Sequence, residues 1–202
     1  MTHQPILLLK EPDHELVRLH NEFCEFSLLE KGYSPQTISD YRYSLKVLLK
    51  YFSLQQVEEI NEGILRQFFY RGRKEKNWSS SAIIHHRKNL SPFFRWCVKK
   101  ELLAENPFKN IEKPRMEFKL PEFYSDAEIE KIMYHIHEHP YPSEYLRKRN
   151  YALVALFLMT GLRRNELIGL KLMDVNLEEN NLVVKAVNSK SKRDRIIPLS
   201  QR

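Results

Sequence analysis

Thr160-Gly161-Leu162-Arg163-Arg164-Asn165-Glu166-Leu167-Ile168-Gly169-Leu170 follows an apolar run, Tyr151 to Met159, and precedes a basic turn that carries Lys190. From about Arg147 to Met159 the chain starts charged and becomes apolar on nearly every side, which predicts a helix central to its domain. Gly161 ends that helix, and Glu166, Leu167 and Leu170 predict a short one after it. Arg163 therefore stands just past a helix C-terminus, where a guanidinium is firmly placed, always charged and shaped to take two phosphate oxygens at once. Lys190, between Ser189 and Ser191, offers a flexible ammonium that can reach a phosphate or protonate a departing alkoxide. Glu166 is placed to orient Arg163 from the next turn. Spacing alone leaves the blander reading open: Arg163 and Arg164 as a solvated pair closing a helix, Lys190 as an ordinary turn lysine.

Outward from this box, Asn180-Asn181 turns the chain into Leu182-Val183-Val184, a strand. Asn188 to Lys192 is a polar turn, and Arg195-Ile196-Ile197 returns as a second strand. Upstream, Ser125-Asp126-Ala127-Glu128 is a capping-box signature for a helix carrying Ile129, Ile132, Met133 and Ile136. Residues 105–121, punctuated by Pro107, Pro114 and Pro121, read as a linker. Before them lie four helices. The first carries Leu16, Leu19, Phe23 and Phe26 at helical spacing and stops at Gly32. The second opens on Ser34-Pro35, an N-cap and first-turn proline. The third begins at Asn61, and the fourth spans about Ser79 to Lys100, where Pro92 predicts a kink or a split. The expected organisation is a tail at 1–12, a helical unit at 13–104, a linker at 105–121 and a mixed unit at 122–202. The fold class is mainly α with a small antiparallel β part.

The 202 residues contain only 5 glycines, which argues against a glycine-rich nucleotide loop or an all-β sandwich. The net charge of +7 makes a polyanion the natural partner. Its distribution is more telling: Arg66 to Lys100 holds ten basic residues against one acid, Glu75. Such a concentrated positive stretch is the electrostatic footprint of a nucleic-acid binder. Arg71, Arg73, Lys74, Arg87, Lys88, Arg95, Lys99 and Lys100, with Arg193 beside the second strand, are the candidate contacts to duplex phosphates. Contacts of that kind fix position without reading sequence. Trp78, Phe93, Phe94 and Trp96 interleave with these bases, and their helical spacing favours core packing over stacking on single strands. His86 falls on the apolar stripe and reads as a core histidine. Of His135, His137 and His139 only the first and last share a helix face, without a partnering carboxylate, so no metal is expected. Cys24 and Cys97 read as reduced core thiols. Ile6-Leu7-Leu8-Leu9 is too short for a signal sequence, and no run is long enough to span a membrane, so a cytoplasmic location is expected.

Thr160-Gly161-Leu162-Arg163, then Glu166-Leu167, Leu170 and Asp174, and later Lys190 before Arg195-Ile196-Ile197-Pro198-Leu199, resembles the first half of the catalytic domain of the tyrosine site-specific recombinases, the phage-integrase family. The helical part that opens on Ser34-Pro35-Gln36-Thr37 and runs into Glu105-Asn106-Pro107 is similar to that family's core-binding, SAM-like domain. In the family a tyrosine attacks a DNA phosphate, giving a 3′-phosphotyrosine and a free 5′-hydroxyl without metal or cofactor. The resemblance implies that Arg163 clamps the non-bridging oxygens and that Lys190 protonates the departing 5′-oxygen. It implies double-stranded DNA as partner, together with an intact recombinase or self-association on DNA, and no small-molecule substrate. The family's His-x-x-Arg motif and nucleophilic tyrosine have no counterpart among these residues. The chain is therefore expected to be truncated within the catalytic domain and not to cleave DNA by itself. The alternative expectation is a non-catalytic DNA-binding regulator, a repressor or accessory factor derived from a recombinase.

Overall fold

Ser34, Asn61, Ser79, Ser125 and Ser143 each accept a backbone N–H from three residues on, at 3.1 to 3.3 Å, and five helices start at these caps. The computed structural model describes residues 14–116, 120–189 and 192–199. The chain divides into two compact units at residues 119–120.

The first unit is built from α1 (Glu15–Leu29), α2 (Pro35–Tyr51), α3 (Glu62–Lys76) and α4 (Ser80–Lys99). Each turns one apolar stripe inward: Leu16, Leu19 and Phe23 from α1, Ile38, Leu45 and Leu48 from α2, Leu65 and Phe68 from α3, Leu90, Phe93, Phe94 and Cys97 from α4. A fully buried Leu or Phe of this kind stabilises by about 1.5–3 kcal/mol. Trp78 and Trp96 pack on the edge of this core, so the aromatics among the basic residues are structural. The helix expected to kink or split at Pro92 is a single element. Pro92 lies beside exposed Lys88, whose carbonyl loses its helical donor where water can replace it.

The N-terminal part of the expected linker packs on the first unit. Phe108 and Ile111 are buried in the first unit's core. Arg66 donates to the Asn110 carbonyl at 3.0 Å, and the Asn110 amide donates to Glu62 at 3.1 Å. Proline punctuation marks irregular backbone, but two apolar anchors are enough to fasten it down.

Packing sets the charge state of two histidines here. His20 is fully buried, with Nδ1 3.6 Å from Cys24 Sγ. Burial, helped by the Arg42 charge, lowers its pKa to about 3. His86 lies 3.2 Å from Ser44 Oγ and stacks on Trp78 at 4.4 Å between ring centroids. Burial, then the neighbouring His85, lowers it to about 4. Burial also pushes the Cys24 and Cys97 thiols up to about 11 and about 12, so neither is a ready nucleophile.

The second unit comprises α5 (Asp126–Glu138), α6 (Glu144–Thr160), α7 (Arg164–Ile168) and an antiparallel sheet of β1 (Val175–Asn176), β2 (Asn181–Val184) and β3 (Arg195–Pro198) in the order β1-β2-β3. Its core is small: Leu162, Leu182 and Val184, flanked by Leu156, Leu167, Leu170, Val175, Ile197 and Leu199. The expectation that α6 is central does not hold within the described residues. None of its side chains is fully buried, and Tyr151, Leu153, Phe157 and Met159 are exposed. Its main partner is α5, which covers one side of a helix that is apolar on several. Among the described residues no helix is long and apolar enough to cross a membrane.

Candidate active site and nucleic-acid interface

Gly161 closes α6 at φ +62°, the left-handed conformation that costs a residue without Cβ nothing. Leu162 then drops into the small core, 2% exposed, and the chain reverses into α7. Burial on either side leaves Arg163 pointing outward, its side chain 59% exposed, while Glu166 is almost wholly enclosed. Arg163 donates its backbone N–H to Glu166 Oε2 at 2.9 Å and one guanidinium nitrogen to Oε1 at 3.1 Å. The guanidinium is thus tethered by one edge and otherwise open.

Glu166 has further partners. Arg195 donates two nitrogens to it, at 2.9 and 2.7 Å, and Ser189 Oγ donates at 3.0 Å. The Arg195 guanidinium, aided by the Arg163 and Ser189 donors, holds the carboxyl far below the usual carboxylate range in spite of burial. Arg195 does not figure among the site residues expected from sequence, yet strand alternation points to it. In β3 it shares a face with Ile197, and the register sets it opposite buried Val184. An unpaired guanidinium on a core-facing position is costly, so a buried carboxylate partner is required.

Two further ties fix the segment leading to Lys190. Asn188 Nδ2 donates to the Gly169 carbonyl at 2.9 Å. Lys185 Nζ meets buried Asp174 at 2.5 Å, and Asp174 also accepts the Lys171 N–H at 3.0 Å. Lys190 and Ser191 themselves lie outside the described residues. Arg193 is exposed on the approach to β3.

The basic residues of the first unit separate into two kinds. Ser81, His85, Lys88, Pro92, Arg95 and Lys99 recur at helical spacing along α4, on the side opposite the buried stripe of Ile83, Leu90, Phe93 and Cys97. Lys88, Arg95 and Lys99 are exposed there and form no ion pair among the described residues. Arg71 and Arg87 are otherwise engaged. Arg71 donates to the Tyr51 carbonyl at 3.2 Å and lies 5.1 Å from the Phe52 ring. Arg87 lies 5.1 Å from the Phe108 ring and donates to that residue's carbonyl at 3.5 Å. Arg73 bonds Ser80 Oγ at 3.3 Å, Lys74 hovers 5.9 Å from Tyr70, and Lys100 sits 5.9 Å from Trp96.

Helical unit, mixed unit and arginine box together define the class, and sequence comparison agrees. Residues 122–202 match the phage integrase family and residues 19–103 match the phage integrase N-terminal SAM-like domain. Tyrosine recombinase XerC of Bacillus pumilus is 27% identical over 177 residues, covering 87% of this chain and 57% of the relative. Tyrosine recombinase XerD of Proteus mirabilis is 25% identical over 181 residues, covering 89% and 56%. Among solved structures, a lambda integrase tetramer bound to a Holliday junction superposes with a TM-score of 0.72 at 19% identity, covering all of this chain and 56% of that one. Tn1549 transposon integrase in complex with a circular intermediate DNA gives 0.66 at 19% identity, covering 93% and 62%. The chain belongs to the tyrosine recombinase, or phage integrase, family. It spans a little over half the length of the curated relatives it matches.

Proposed function

We propose that this chain binds double-stranded DNA through the outer face of α4 and contributes the first phosphate-gripping arginine, Arg163, to site-specific recombination. The observation that carries the reading is the stripe of Lys88, Arg95 and Lys99, three cations on one exposed helix face with no ion pair among the described residues. Phosphates along a groove edge are the ligand that such a row suits. In the second unit Arg163 offers an open, partly tethered guanidinium, the arrangement that neutralises charge growing on a non-bridging oxygen. Lys190 acts as the acid that protonates the leaving 5′-oxygen. The family's attacking tyrosine is assigned to no tyrosine of these 202 residues.

The test is duplex binding by fluorescence anisotropy across a salt series, with the combined Lys88→Ala/Arg95→Ala/Lys99→Ala variant beside the unaltered chain. Each lost phosphate contact lowers the slope of log K against log salt by about 0.9, so the triple variant loses about 2.7. A flat salt profile for the unaltered chain, or an unchanged slope in the variant, refutes the interface. Strand cleavage in a mixture with a complementing catalytic fragment, abolished by Arg163→Ala, supports the chemical role. Binding with no cleavage in any such mixture favours a non-catalytic regulator instead.

A further inference from the structure

Glu166 meets five donors through two oxygens, more than the roughly four lone pairs a carboxylate offers. The sharing is unequal. Arg195 engages both oxygens side by side, whereas Arg163 reaches only one through its side chain. A buried carboxylate facing a lone arginine would be expected to take that arginine in the same two-pronged way, since the paired fork is the strongest arrangement the groups can form. Arg163 would then be neutralised and turned from solvent. With Arg195 already occupying the fork, two cations share one anion and the cluster keeps a net positive charge at its exposed member.

We propose that Arg195 is a positioning residue for the phosphate site: it occupies Glu166 so that the carboxylate orients Arg163 without consuming its charge. Arg195 also fastens β3 to the turn that carries Arg163, and Ser189 fastens the other side of the hairpin to the same carboxylate. The strand pair and the arginine box are thereby joined through one buried anion. This inference rests on Arg163 being a phosphate ligand.

The experiment follows the Arg163 Nε–Hε resonance of the full chain by 15N NMR, with inorganic phosphate as the probe. In the unaltered protein the resonance shifts on titration. In Arg195→Gln, phosphate affinity at Arg163 falls about tenfold or more, the effect of losing a charge-assisted contact. Arg195→Lys, which keeps the charge, recovers part of the response. The decisive variant is Glu166→Gln/Arg195→Gln. With no carboxylate left to capture Arg163, affinity returns to within about threefold of the unaltered protein, a non-additive rescue. A purely structural role for Arg195 predicts no rescue, and that outcome overturns the proposal. So does a normal phosphate response in Arg195→Gln. Should Arg195→Gln alone fail to fold by circular dichroism, the double variant and Arg195→Lys decide. If phosphate leaves the Arg163 resonance unmoved in the unaltered protein, the phosphate-ligand reading fails as well, and the two failures are told apart by that control.

Discussion

Asn188 donates to the carbonyl of Gly169 from so close that a Cβ on Gly169 would stand 2.4 Å from the Asn188 side chain. The absent side chain lets the segment preceding Lys190 lie against the arginine box. Gly169→Ala is expected to push the two apart and to cost about 1–3 kcal/mol, the range for forcing extra volume into a packed contact. Chemical denaturation of the full chain measures it. Gly169→Ala combined with Asn188→Ala should cost less than the sum of the single changes, because the second removes the atoms struck by the first.

Arg87 and Lys88 are neighbours with opposite assignments. Arg87 covers the Phe108 ring and bonds its carbonyl, so Arg87→Ala should lower stability by about 1–2 kcal/mol through lost stacking and packing. Its effect on duplex affinity should be slight. Lys88→Ala should leave stability within about 0.5 kcal/mol, as for most exposed positions. It should lower the salt slope of duplex binding by about 0.9. Equal effects of the two substitutions on binding would contradict this division of the basic residues.

The same division shows how far the residues speak for themselves. Periodicity marks all four helices of the first unit, and Ser34, Asn61 and Ser79 mark the starts of three, because each cap acts locally, on backbone three residues away. A run of bases such as Arg71 to Lys100 carries no information on which guanidinium finds an aromatic ring. Phe108, the ring Arg87 covers, is distant in sequence and sits in a stretch that reads as linker. In the second unit Arg163 and Glu166 are legible from their spacing within one turn. Arg195 is not, because its partner lies across the chain and only strand alternation marks it as inward-facing. The apolar character of α6 reads as burial, but the pattern records what a helix is able to cover rather than what covers it.

The buried histidines make the first unit acid-sensitive. Their folded pKa values, about 3 for His20 and about 4 for His86, lie below the ordinary 6.5. Between these limits the unfolded chain binds protons that the folded chain refuses, so stability is full above about pH 6.5 and falls as pH drops toward those values. Each pH unit crossed in that window costs about 1.36 kcal/mol per histidine, so His20 alone gives up roughly 3 kcal/mol by about pH 4. Urea unfolding at a series of pH values checks this. His20→Gln should flatten the profile between about pH 6.5 and 4, even if it lowers stability at neutral pH. An unaltered slope would mean that His20 takes up its proton while folded.

Glu166 gives the second unit its own acid limb. Its folded pKa is depressed, chiefly by Arg195, so the stabilisation from the ionised carboxylate is complete above its ordinary value of 4.5. It is lost as pH falls below that toward the folded value. Glu166→Gln keeps the shape but removes the charge, leaving Arg195 on a core-facing strand position without its anion. The variant should therefore be clearly less stable than the unaltered chain at neutral pH, because breaking a buried pair on one side strands the other charge. The difference in melting temperature between the two should shrink steadily below about pH 4.5, since protonation turns the native side chain into a neutral group like its replacement. The histidines contribute equally to both proteins and drop out of the comparison. A difference that persists unchanged at acid pH would place the role of Glu166 in packing rather than in its charge.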